Sequence, residues 1–383
     1  AKAFDFEDIF GRRLPIWAGG IALAISGVFL VRYSIEAGLM TPVVRVIFAF
    51  LFGLLLLAGA EAAYRFKDRV ADPRVAQALA GAGLATLYAG FYLAGTQYGL
   101  IGQTFAFIGL ASVTAAAIAL SYRFGLPSAV LGLVGGFAAP ALVGGDEANL
   151  PLLSLYLGLV TAGLTLSGRH QQRPWMGIAA LIGGLGWGFV LLLTGEFGIS
   201  GVLALGLYLV VLGAVIPALA GAEKLEQPLR LTAALVSAVQ LALLVDRGGY
   251  APLAWGLYLL LGAALAWFGW RKPEVRGGSA MAAAIGLGLY QLWGLDVPSF
   301  NLPLPLFTAV GAGLAAIFAL VPLALTWREQ DQRIDRWQFI LVPVALMLVI
   351  ITTFVAFDDD SARPMMALAS LALAAIPLAG AWL

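Results

Sequence analysis

The chain of 383 residues has no cysteine and a single histidine, His170. The first absence excludes disulfides, thiolate nucleophiles, iron–sulfur clusters and Cys-ligated zinc. The second leaves no His cluster to hold a metal and no His beside a membrane-buried nucleophile. Charge is also scarce, at 11% of residues, where a soluble domain carries roughly a quarter. The 22 basic and 21 acidic residues leave a net charge of +1, with no basic excess to hold nucleic acid. Hydrophobic residues make up 61% of the chain and the mean hydropathy is +0.94. Too little polar surface remains to cover a water-facing globule, so lipid must be the solvent.

Apolar runs long enough to cross a bilayer are expected at 14–31, 43–60, 75–95, 101–121, 125–143, 150–167, 175–193, 199–220, 229–245, 251–270, 278–294, 304–326, 338–356 and 364–383. The expected fold is therefore all-α: a polytopic membrane protein of about 14 transmembrane helices in one domain over 14–383, arranged as about seven tandem hairpins. Residues 1–13 place Phe6, Ile9 and Phe10 on one helical face and read as an interfacial helix. The chain begins without Met and stops inside an apolar run, as a piece of a longer protein would.

Lys and Arg set the orientation. On this span count, 18 of the 22 fall on the side of the N-terminus, among them Arg65, Arg123, Arg169, Arg173, Arg271 and Arg336. The opposite turns are short and acidic, with Asp146, Glu147, Glu196, Asp246, Asp296 and Asp358–Asp360. The positive-inside rule then places both termini in the cytoplasm. Trp17, Trp175, Trp270, Trp327 and Trp337 mark inner span ends and Trp255 and Trp293 outer ends, where an amphipathic ring is expected at the interface.

A weak internal repeat accompanies the spans. Returning helices read FIGLAS from Phe107, YLGLVT from Tyr156, YLVVLG from Tyr208 and YLLLGA from Tyr258, at spacings of 49, 52 and 50 residues. Outgoing helices carry Gly135–Gly136 and Gly183–Gly184, and Gly132/Gly136 and Gly184/Gly188 are spaced for close helix contact.

Charges in or near lipid cost several kcal/mol unless paired, so they are the candidate site residues. Arg32 and Glu36, four apart at the outer end of the first span, share a helical face, and Arg45 enters the second span shortly after. This cluster reads either as a hairpin clasp or as an anion or headgroup site. Glu61 and Arg65 have i,i+4 spacing and read as an inner ion pair. Gln77, Gln103, Gln240 and Gln291 fit interhelical hydrogen bonds. No catalytic, cofactor-binding or metal site is expected. The glycine clusters lie in apolar helices rather than after strands, so they are not phosphate loops.

The stretch GGIALAISGVFLVRYSIEAGLMTPVVRVIFAFLFGLLLLAGAE resembles a bacterial family of multi-span membrane proteins of unknown function. The shared pattern is FLV(K/R)Y-x-I, then Gly-Leu, then P-x-x-R-V, closed by Gly-x-Glu. It falls on Phe29, Leu30, Val31, Arg32, Tyr33, Ile35, Gly38, Leu39, Pro42, Arg45, Val46, Gly59 and Glu61. LAGAGLATLYAGFY and AVLGLVGGFAAPAL are also similar, so the likeness spans at least 14–170. It implies longer full-length members with a cytoplasmic coiled-coil arm and further spans, and it places Arg32, Arg45 and Glu61 in the family signature. It implies no reaction.

Two functions follow as expectations. The first is a non-enzymatic scaffold or assembly partner of the bacterial inner membrane, contacting lipids and other envelope proteins or a second copy. The second is a transporter or flippase for a lipid-like or anionic substrate, which needs a polar cavity. An enzyme fits least, because no base accompanies a nucleophile.

Overall fold

The structure is a computed structural model that describes residues 38, 41–66, 72–144, 149–195, 197–219, 226–271, 276–296, 304–315 and 317. The first span, the N-terminal interfacial segment and the last two expected spans lie outside these residues. Every regular element among the described residues is helical. In chain order they are α1 (Pro42–Arg65), α2 (Pro73–Tyr92, continued by a π turn over Leu93–Gln97), α3 (Gln103–Phe124), α4 (Leu126–Val143), α5 (Leu150–His170) and α6 (Pro174–Thr194). Then come α7 (Ile199–Val210, a π turn over Val211–Val215, then Ile216–Leu219), α8 (Glu226–Arg247), α9 (Pro252–Arg271), α10 (Arg276–Asp296) and α11 (Leu304–Ala315). Among the described residues nine of these helices, α1 to α9, are long and apolar enough to cross a bilayer, and α10 and α11 contain the shorter apolar stretches Met281–Tyr290 and Pro305–Leu314.

Local chemistry explains where these helices start. Pro42, Pro73 and Pro174 stand at first helical positions, and Pro127 and Pro151 at second. There a missing N–H costs nothing. Thr41, Asp72 and Asn149 cap α1, α2 and α5 by accepting from the backbone N–H of Val44 (3.4 Å), Arg74 (2.9 Å) and Leu152 (3.1 Å). Gly125, at φ +74°, turns the chain between α3 and α4 in a conformation costly for other residues. The π turn of α7 precedes Pro217, whose ring cannot donate to the Gly213 carbonyl; widening the helix there relieves the proline clash.

The described residues fall into two compact units that divide at Val113/Thr114, inside α3. In the first, α1 packs along α2. Gly53 and Gly83 make this close: a Cβ on Gly53 would lie 2.9 Å from Leu87, and one on Gly83 would lie 2.9 Å from the Gly53 carbonyl. In the second, each helix from α4 to α11 packs mainly against its first and second neighbours in sequence. The outward faces are apolar, with Leu55, Leu193 and Ile182 each about two-thirds exposed, as a lipid-facing surface requires.

Candidate functional site

Arg32 and Glu36 lie outside the described residues. Arg45 sits in the first turn of α1 and donates from one guanidinium nitrogen to the Tyr98 hydroxyl at 3.1 Å, with its carbon 5.8 Å from that ring's centroid. Tyr98 is brought there by the π turn that ends α2, closed by its own N–H on the Leu93 carbonyl. Glu61 and Arg65 lie in the last two turns of α1, where Arg65 Nε donates to Glu61 Oε1 at 2.8 Å. At 1.5 Å per residue, Arg45 and Glu61 stand roughly 24 Å apart along the helix, so they do not form one site. The Arg65 side chain is 70% exposed, and a solvated i,i+4 pair is worth only about 0.3–0.5 kcal/mol. Asp246, in the last turn of α8, accepts from the Tyr250 hydroxyl at 3.0 Å, and Arg247 donates to the Leu192 carbonyl of α6.

The richer polar chemistry is neutral and buried. Tyr156 on α5 donates to the Gly136 carbonyl of α4 at 2.8 Å. In an ideal helix that carbonyl would accept from residue 140, but residue 140 is proline and has no N–H. The tyrosine hydroxyl supplies the missing donor. Its one proton being so used, the 3.1 Å contact with Thr114 on α3 must have the threonine as donor. Tyr208 on α7 donates to the Gly184 carbonyl of α6 at 2.6 Å. Tyr258 on α9 donates to the Ala282 carbonyl of α10 at 2.6 Å, and Tyr290 to the Phe307 carbonyl of α11 at 3.3 Å. Glycines make room for the last two rings: a Cβ on Gly286 would lie 2.5 Å from Tyr258, and one on Gly311 would lie 2.7 Å from the Tyr290 hydroxyl.

Even-numbered helices are tied in the same way. Trp187 Nε1 on α6 donates to the Phe137 carbonyl of α4 at 2.9 Å, and Gln240 Nε2 on α8 to the Leu185 carbonyl of α6 at 2.7 Å. At the basic end, Gln171 Nε2 donates to both Ser121 and Ser167 hydroxyls at 2.9 Å. Ser121 passes its own proton to the Ile118 carbonyl at 2.6 Å, so Ser167 is the donor in the 2.9 Å contact between the two serines.

The interior also holds oxygens without a hydrogen-bond partner, Ser237 Oγ and Gln240 Oε1, one turn apart midway along α8 and fully buried. Glycine backbone packs against both: a Cβ on Gly213 would lie 2.7 Å from the Ser237 oxygen, and one on Gly188 would lie 2.7 Å from the Gln240 oxygen. Among the described residues no group of three or more His, Asp or Glu converges as a metal site would need.

Sequence reasoning picked Tyr156, Tyr208 and Tyr258 only as markers of a repeat, and it missed their acceptors. The one readable signal was Pro140, a proline inside an apolar run sixteen residues before Tyr156. One sequence reading is corrected. Trp255 and Trp293 are not exposed rings: they are 0% and 1% exposed and join Tyr258, Tyr290 and Phe307 in one aromatic cluster, with Trp255 and Trp293 centroids 5.5 Å apart. Edge-to-face and stacked pairs of this kind are worth about 0.5–1.5 kcal/mol each beyond the area they bury. Trp175, at 42% exposed, does stand open at the start of α6.

The model of the family described as "Predicted membrane protein (DUF2339)" matches residues 11–383, and the chain belongs to that family, whose function is unknown. No curated protein and no solved structure was found to match the chain.

Proposed function

Taking that family membership as the premise, we propose that this membrane protein is a non-enzymatic scaffold or assembly partner of the bacterial inner membrane, built from about 14 spans as tandem hairpins with both termini cytoplasmic. The observation that carries the reading is the set of tyrosine and glutamine side chains spent on neighbouring helix carbonyls. Tyr156 to Gly136 and Tyr208 to Gly184 join successive helix pairs, α4 with α5 and α6 with α7, with the tyrosines 52 and the glycines 48 residues apart, which supports the repeat. Trp187 to Phe137 and Gln240 to Leu185 add ties between successive even helices. Such bonds cross-brace a bundle and spend these donors on neighbouring helix backbones rather than on a substrate.

A second reading, a transporter for a lipid-like or anionic substrate, draws on Ser237 Oγ and Gln240 Oε1 beside the π turn of α7, since broken helices at mid-membrane often line transport sites. One experiment separates the two. The chain has no native cysteine, so Ser237→Cys in intact cells can be probed with a charged thiol reagent. The scaffold reading expects no labelling, and labelling from either side would replace it with transport. Asn149→Cys and Gln172→Cys test the orientation: an impermeant reagent added outside should reach only the first.

A further inference from the structure

Four basic side chains come together where α3 and α5 end and α6 begins. Arg123 precedes the last residue of α3, Arg169 and His170 close α5, and Arg173 caps α6. The tie from Gln171 to Ser121 and Ser167 pins the two helix ends, and the Tyr122 and His170 rings pack 5.1 Å apart. The turn itself is fixed by backbone bonds from Gln171 to Ser167 (2.9 Å), Gln172 to Arg169 (3.2 Å) and Arg173 to Gly168 (2.7 Å), with Gln172 held at φ +56°. The charges are therefore displayed on a rigid surface.

The apolar neighbours show what kind of anion fits. Tyr122, Trp175 and Leu166 are 47%, 42% and 50% exposed and stand one to three residues from the charges, each further into its helix. A ligand meeting all of these is anionic at one end and apolar below it. We infer that this turn is a binding surface for the phosphate of an anionic phospholipid headgroup, whose acyl chains lie along α5 and the start of α6. The inference rests on the chain's spanning a membrane and is independent of the choice between scaffold and transporter.

The test uses the whole chain in phosphatidylcholine nanodiscs doped with phosphatidylglycerol, with retained lipid counted by native mass spectrometry. At about fivefold per arginine, R123Q/R169Q/R173Q should weaken retention of the tightest phosphatidylglycerol on the order of 100-fold. The matching triple lysine variant should retain it, since charge rather than guanidinium geometry carries the attraction. Equal retention by the glutamine and unsubstituted chains, or equal retention of phosphatidylcholine, overturns the proposal. So does displacement of the lipid by soluble inorganic phosphate, which would make this an anion surface and not a lipid one. If the glutamine variant does not fold, the unsubstituted chain decides: raising NaCl to about 0.5 M should release phosphatidylglycerol, and undiminished retention refutes the inference.

Discussion

Replacing Tyr156 by Phe removes one hydroxyl and keeps the ring. In most helices a carbonyl that lost a side-chain donor would still hold its own i+4 N–H. The Gly136 carbonyl has no such reserve, because residue 140 is proline. Leaving a buried acceptor unmatched costs about 1–3 kcal/mol. Hydrogen bonds between membrane helices measured by double-mutant cycles reach at most about 1.7 kcal/mol, so we expect 1–2 kcal/mol here, at the lower part of the first range. The decisive perturbation is the pair. Pro140→Ala restores an N–H four residues after Gly136, so Tyr156→Phe in that background should cost less than about 0.5 kcal/mol. The assay is reversible unfolding in mixed detergent micelles for the four members of the cycle, with helicity as readout. A coupling near zero, with Tyr156→Phe equally costly beside proline and alanine, would show that the hydroxyl is not standing in for the missing N–H.

Three further outcomes are expected. Gly184→Ala should destabilise by about 1–3 kcal/mol, because its Cβ would lie 2.7 Å from Thr161 Oγ1; Gly186→Ala on the same helix, with open space around it, should be neutral or stabilising by up to about 1 kcal/mol, and thermal melts of the two variants give the comparison. Arg65→Ala should change the melting midpoint barely at all, since the exposed pair with Glu61 is worth about 0.5 kcal/mol or less. Gln171→Ala removes the bond that pins the end of α5 to Ser121 of α3 and a second to Ser167 within α5, so hydrogen exchange should speed up at the α5–α6 turn while the middle of α5 stays protected.

Much of the helical layout was legible because lipid demands long apolar runs and proline marks their starts. The runs read at 125–143, 150–167 and 175–193 correspond to Leu126–Val143, Leu150–His170 and Pro174–Thr194. The π turns at Leu93–Gln97 and Val211–Val215 were not legible, since one extra residue per turn leaves an apolar run apolar. Side-chain partners were harder still. Charge drew attention to Arg45, yet its partner Tyr98 is 53 residues away. Gln240 was read as a group seeking an interhelical bond, and it makes one to Leu185, an acceptor no side-chain pattern announces. Backbone carbonyls are present at every residue; only packing decides which one a tyrosine reaches. Trp255 and Trp293 were misplaced for the same reason, because a ring near a span end looks alike whether lipid headgroups or other rings surround it.

In the second unit, contacts confined to first and second neighbours also bear on how the bundle is made. When α6 leaves the ribosome its principal earlier partners, α4 and α5, are already present, and α7 can seat Tyr208 on Gly184 before α8 exists. Nothing in this stretch has to wait for a distant strand of sequence. Assembly can keep pace with synthesis one hairpin at a time, and a nascent chain arrested after α7 would already hold the native contacts among α4 to α7.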